Sequence, residues 1–187
     1  DHIIDIPCYQ RGYVWGKKHE GTKDSVSFML DTLMEGYGTD ETEDQDRKDI
    51  FVQGITVVPS EDGADNKYIV IDGQQRTTFF YLLLKTLGDD KIITIIYNSS
   101  RGASATDVSP QLWLNNFSSK TDCTENISEP TQDVYFFKKT VRLIKEHVLF
   151  KANHEKLITY IRKHVRFLLI PIPASLAVST FTMMNGN

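Results

Sequence analysis

An α+β fold is predicted by three features of the sequence. Short β-branched and aromatic runs are interspersed with longer stretches of helical periodicity. Two of those runs, Ile50 to Pro59 and Lys67 to Ile71, flank a turn rich in Asp and Gly from Ser60 to Asn66 and read as a hairpin. Beyond it the chain is mainly helical in pattern. With 187 residues and 40% hydrophobic content the chain is globular and can bury a substantial core, as one domain or as one domain with a helical appendage.

The chain opens with His2-Ile3-Ile4-Asp5-Ile6-Pro7, a short extended segment that proline stops. Tyr9-Gln10-Arg11-Gly12-Tyr13-Val14-Trp15 follows, a dense group of flat and donor-rich side chains. Such a cluster can stack a ring and fork a phosphate. Equally, Tyr9, Tyr13 and Trp15 can pack on the core while Arg11 pairs with a carboxylate. From Lys23 the spacing of Val26, Met29, Leu30, Leu33, Met34 and Tyr37 predicts a helix that Gly36 and Gly38 end, with its methionines as core filling.

After the hairpin, Phe80, Leu83, Leu84 and Leu87 mark one buried face of a helix that ends near Gly88. Ile92 to Tyr97 is a further strand. Asn98 to Pro130 reads as a long polar loop anchored by Leu112-Trp113-Leu114. Asp133 then caps a helix with Val134, Phe137, Val141, Ile144 and Val148 inward, and a second helix carries Leu157, Ile158 and Ile161. Arg166 to Ile172 reads as a buried strand ending in prolines, and Ser175 to Met184 as a last helix. There is no internal repeat. The missing initiator methionine and the stop at Asn185-Gly186-Asn187 suggest a fragment of a longer protein.

A net charge of -4 hides an uneven distribution. Eleven acidic residues lie between Asp31 and Asp65 against Arg47 and Lys48, which reads as a solvated loop. Nine basic residues lie between Lys138 and Arg166 against Glu146 and Glu155. Lys138, Lys139, Arg142 and Lys145, with Arg162, Lys163 and Arg166, are candidates for contacting DNA phosphates; a solvated helix exterior is the alternative. Cys8 and Cys123 are read as free thiols, consistent with a cytoplasmic location. No apolar run reaches membrane-spanning length and no signal-peptide pattern is present. The three Asn-x-Ser matches, at Asn98, Asn116 and Asn126, are attributed to chance, and the five scattered histidines to ordinary positions.

The stretch Tyr68 to Thr78 holds the clearest chemistry, because an apolar strand passes through Asp72-Gly73-Gln74-Gln75-Arg76 into a helix. A helix start presents unpaired N–H groups and a positive dipole end, which suits an anion. Capping accounts for part of it, with Asp72 accepting from the Gln75 N–H and Gln75 reaching back. A nucleoside triphosphate site accounts for all of it. Backbone N–H groups and Arg76 would take phosphates, Asp72 a magnesium ion or a water, and a glutamine the attacking water.

Ile6-Pro7-Cys8-Tyr9-Gln10-Arg11-Gly12-Tyr13-Val14-Trp15, Gln53-Gly54-Ile55-Thr56-Val57-Val58 and Ile71-Asp72-Gly73-Gln74-Gln75-Arg76-Thr77-Thr78 together resemble the amino-terminal domain of GmrSD-type restriction proteins. The likeness extends weakly through Tyr135-Phe136-Phe137-Lys138 to Phe181-Thr182-Met183-Met184-Asn185. It implies one domain with a ParB/sulfiredoxin-like mixed-sheet core over about residues 1–100 and a loop and helical part over about 101–187. It also implies NTP binding and hydrolysis, in a sensor domain of a prokaryotic system that restricts phage DNA, often modified DNA. Carried over by position, Asp72, Gln74, Gln75 and Arg76 are catalytic, with Asp72 as Mg2+ ligand. Tyr9, Gln10, Arg11, Gly73 and Thr77 are nucleotide-binding, and Arg11 and Arg76 face one phosphate group.

Two features depart from that family. Thr77 stands where a leucine commonly follows the arginine, and the HNH-type nuclease domain or subunit expected as partner is not in this sequence. Homo-oligomers are a further expectation. The alternatives are a binding module that docks DNA or a protein without turnover, and a nuclease activity of the core itself.

Overall fold

The computed structural model describes residues 2–18, 21–60, 66–89, 91–97, 109–121, 123 and 131–185. Among them are five strands in one mixed sheet and six α-helices, an α+β architecture. The strands are β1 (Ile3–Ile6), β2 (Ile50–Pro59), β3 (Lys67–Asp72), β4 (Thr94–Tyr97) and β5 (Val165–Pro171). The helices are α1 (Ser25–Tyr37), α2 (Gln74–Thr86), α3 (Pro110–Asn116), α4 (Gln132–Glu146), α5 (His154–His164) and α6 (Ala177–Asn185).

Spatial order in the sheet is β4-β1-β3-β2-β5. The predicted hairpin is present as the antiparallel β2–β3 pair, whereas β1 runs parallel to β3 and β4, and β5 parallel to β2. Two irregularities interrupt the central ladders. Thr56 pairs with Asp72 but Val57 with Val70, so Ile71 is an extra residue in β3. Val52 pairs with Phe167 but Ile55 with Leu169, so Gln53 and Gly54 of β2 stand against Leu168 alone. Bulges of this kind bend a strand and leave backbone groups for other partners.

Helix α2 is buried on almost every side rather than on the one predicted face. Tyr81 and Leu82 enter a cluster with Ile4, Ile6, Val57, Val70, Phe137 and Val141. Phe79, Phe80 and Leu83 enter a second cluster with Leu30, Leu33, Ile144, Leu157 and Tyr160. Lying between two cores covers the helix on more than one side, including its polar first residues Gln74, Gln75, Thr77 and Thr78. The opposite sheet face carries α6, which packs against β3 and brings Met184 Sδ to 4.0 Å from Thr56 Oγ1.

Several expectations change. Helix α4 is capped by Thr131, whose side chain accepts from Val134 N, and not by Asp133. Asp133 is buried in the first turn and accepts from Tyr13 N at 2.6 Å. Val148 lies beyond α4, in a 3-10 turn over Val148–Lys151, and is exposed. The anchored piece of the polar loop is α3, with Trp113 and Leu114 buried; Asn98 to Val108 and Thr124 to Pro130 lie outside the described residues. Strand β5 is not buried, because it is the edge of the sheet and only Val165 is covered. Both cysteines are thiols outside any disulfide, Cys8 exposed and Cys123 buried.

The acidic run between residues 40 and 49 is largely exposed, as a solvated surface is, and its carboxylates are at the same time engaged. Asp40 accepts the Asn153 N–H with both carboxylate oxygens at 3.0 Å, Asp44 pairs with Lys163 at 3.0 Å, and His164 lies between Asp44 and Asp49. Opposite charges far apart in sequence thus meet at α5.

Candidate functional site

Strand β3, its bulge and helix α2 meet at Gly73. This residue, not Asp72, is the N-cap of α2, with φ +101° and no side-chain cap, which overturns the capping-box reading. A Cβ there would lie 3.1 to 3.3 Å from Ile55 on an unfavourable positive φ, so glycine is required by both conformation and space. The first helical bond is Thr77 N to Gly73 O at 3.0 Å. The preceding N–H groups, of Gln74, Gln75 and Arg76, are the donors that a helix leaves without internal partners.

The glutamines of both motifs bind backbone. Gln10 Nε2 donates to Val70 O at 3.1 Å and to Ile71 O at 2.7 Å, satisfying carbonyls at the β3 bulge. Gln74 Nε2 donates to Arg11 O at 2.5 Å. Gln75 Nε2 donates to Gly12 O at 3.0 Å and its Oε1 accepts from Val14 N at 2.9 Å. Each carboxamide orientation is dictated by the polarity of the backbone group it meets. Three glutamines thereby fasten residues 10–14 onto the β3–α2 corner, and Asp133 holds Tyr13 N from the other side. Tyr13 is fully buried with its hydroxyl against Thr140, and burial pushes its phenol well above the usual range.

Arg76 faces the second bulge. Its Nη1 donates to Gln53 Oε1 at 2.7 Å and its Nη2 to Gly54 O at 2.8 Å, with Asp72 Oδ2 at 3.3 Å. Its Nε is buried without a partner, as is Gln74 Oε1. Arg11 differs: its side chain is exposed and makes no hydrogen bond or ion pair among the described residues.

Arg11 and Arg76 line one small polar cavity of about 80 Å³, closed by Gln10, Trp15 and the 72–76 turn. That volume holds roughly two or three waters, hence a phosphate group and not a nucleoside. Two arginines and a helix start favour an anion; among the described residues Asp72 is the one carboxylate in the lining. Among the described residues no group of three or more His, Cys, Asp or Glu side chains could hold a metal ion. A magnesium ion fits only the mode in which one carboxylate supplements phosphate oxygens.

The remaining predicted residues lie elsewhere. Thr77 is buried with Oγ1 on Gly73 O at 3.1 Å, outside the cavity lining. Tyr9 is also outside that lining and packs against Phe181 of α6. Lys138, Lys139, Arg142 and Lys145 lie on α4, all partly buried. Lys145 donates to Thr121 O at 2.9 Å, Arg142 lies 3.8 Å from Glu146, and Lys139 sits over Tyr135 and Phe136. Arg162 forks Asp89, with its Nη2 2.7 Å from Oδ2. Sequence reasoning placed Gln53 and Gly54 only in a motif segment and Asp133 only as a helix cap, and gave none of the three a part in the site. The adjacency of Gln53-Gly54 was visible, but a bulge is defined only by its partner strand.

A family model described as GmrSD restriction endonuclease, N-terminal domain, matches residues 1–186. No curated protein and no solved structure matches the chain. No helix among the described residues is long and apolar enough to cross a membrane.

Proposed function

Because the chain belongs to the family of GmrSD restriction endonuclease N-terminal domains, and is thus a component of a restriction system, we propose that it binds and hydrolyses a nucleoside triphosphate as the sensor that controls a nuclease partner. The observation that carries this reading is the cavity at the α2 start, where residues of both arginine motifs meet around a space of phosphate size. Arg11, without an internal partner among the described residues, and the first N–H groups of α2 would bind the terminal phosphate. Arg76 would lend its charge while fixed to the β2 bulge. Asp72 would hold Mg2+ together with phosphate oxygens, and the ion would neutralise charge as the bond to the leaving phosphate breaks. Kinship with ParB/sulfiredoxin folds, a cytoplasmic location, DNA as the signal, an HNH-type domain or subunit as the nuclease and self-association belong to the same proposal.

A second reading, binding without turnover, is favoured by one observation. All three glutamine carboxamides donate to backbone carbonyls and Gln75 also accepts from one backbone N–H, so their visible task is to hold residues 10–14, and Gln74 Oε1 is the one carboxamide oxygen of the two motif glutamines on α2 that is left without a partner. Phosphate release by the full-length protein, with each NTP and with or without DNA, separates the two. Arg11→Ala is expected to weaken NTP binding by about tenfold or more, the worth of a charged hydrogen bond, and to abolish release. Wild-type release and affinity in Arg11→Ala would reject the site, and NTP binding without release would establish the second reading.

A further inference from the structure

The cavity at α2 accommodates phosphate only, so the rest of any larger ligand has to lie outside it. A second cavity, of about 200 Å³, is formed between Tyr9 and helix α6, where Ala177, Val178 and Phe181 complete its walls. The Tyr9 ring stands edge-on to Phe181, with centroids 5.1 Å apart and planes at 76°. Both sides remain open to solvent, Tyr9 being 52% and Val178 78% exposed. Burial, then the charges of Asp5 and Cys8, push the Tyr9 phenol above its usual value, so the ring is neutral at physiological pH. The volume falls short of a typical drug-sized site and matches a single ring system.

Position along the chain connects the two cavities. Tyr9 lines one, Arg11 lines the other, and Gln10 between them is pinned to Val70 O and Ile71 O while Gln74 holds Arg11 O. The Cα atoms of Tyr9 and Arg11 are no more than about 7 Å apart, within the reach of the ribose and the two phosphates that separate the base of a nucleoside triphosphate from its terminal phosphate. We propose that the cavity between Tyr9 and α6 is the ring subsite of the ligand whose terminal phosphate occupies the α2 cavity, so that a nucleotide lies along Tyr9-Gln10-Arg11 with its base against Tyr9 and Phe181. This rests on the phosphate-site reading above. The ring walls are apolar apart from the one phenol, so the base is held by its faces, and purine and pyrimidine triphosphates are expected to compete with similar affinity.

Binding of NTPs and of inorganic tripolyphosphate to the full-length protein tests the assignment, with unfolding midpoints checking each variant. NTPs are expected to bind about tenfold or more tighter than tripolyphosphate. Tyr9→Ala should bring NTP affinity down to the tripolyphosphate level without changing tripolyphosphate binding, and Tyr9→Phe should keep wild-type affinity, because stacking needs no hydroxyl. Phe181→Ser should act as Tyr9→Ala does. Equal wild-type affinities for NTP and tripolyphosphate, or unchanged NTP binding in Tyr9→Ala, would overturn the ring subsite while leaving the phosphate site standing. Tyr9→Phe as weak as Tyr9→Ala would overturn it in favour of a hydroxyl contact. Failure of both ligands to bind would reject the phosphate site and the ring subsite together.

Discussion

Gln75 is bonded at both ends, to Gly12 O and from Val14 N, whereas Arg11 projects from the same clamped segment with no partner of its own among the described residues. The two residues should therefore separate stability from binding. Gln75→Ala leaves a half-buried backbone donor and acceptor without their partner and is expected to cost about 1 kcal/mol, read as a lower urea midpoint. Arg11→Ala should leave that midpoint unchanged. If Gln75→Ala unfolds at the wild-type midpoint, the clamp does not hold residues 10–14 in place. At this scale the sequence was half legible. Residue types and spacing singled out Tyr9-Gln10-Arg11 and Asp72 to Arg76, and both arginines line one cavity. What they could not reveal is which polar groups are consumed by the fold. A glutamine available to a ligand and one bonded to a bulged carbonyl are the same letters, and the difference depends on contacts some sixty residues apart.

At the scale of elements, the acidic stretch between Asp40 and Asp49 is tied to α5 by carboxylates. Asp40 is held below the usual carboxylate range by the Tyr37 hydroxyl and then by Asn153 N–H; Asp44 is lowered by Lys163 and then His164. A carboxylate depressed in the folded state stabilises it above the unfolded pKa, and that stabilisation is lost as pH falls through the folded value. The attachment should thus be intact at neutral pH and weaken below about pH 4. Asn153 N–H, bonded to both Asp40 oxygens, reports this directly. Its hydrogen-exchange protection, corrected for intrinsic exchange, is expected to fall only as the pH drops below about 4 while that of α2 persists. Full protection at pH 2 would show that these ion contacts do not hold the stretch. Helix and strand periods reported each element by itself, whereas pairing an acidic run with a basic helix 115 residues later required the fold that brings them together.

For the whole molecule, the least expected feature is where the sheet ends. Phe167 to Pro171 has the unbroken apolar run of a strand covered on both faces, yet among the described residues β5 is an edge, paired with β2 alone. Hydrophobic run length reports composition and not position in a sheet, so the edge was not legible. Phe167, Leu168, Leu169 and Ile170 are 36 to 51% exposed there. A long apolar edge is a template for pairing with another strand. One charge should blunt it, because a lysine stem can lie along the apolar surface while its ammonium stays in water. Leu168→Lys is therefore expected to slow concentration-dependent aggregation, measured by light scattering, while shifting stability by no more than ~0.5 kcal/mol, as exposed substitutions do. A loss of ~2 kcal/mol or more would instead mean that Leu168, half-exposed in this fold, is covered in solution, and the edge would then be an interface rather than a free border.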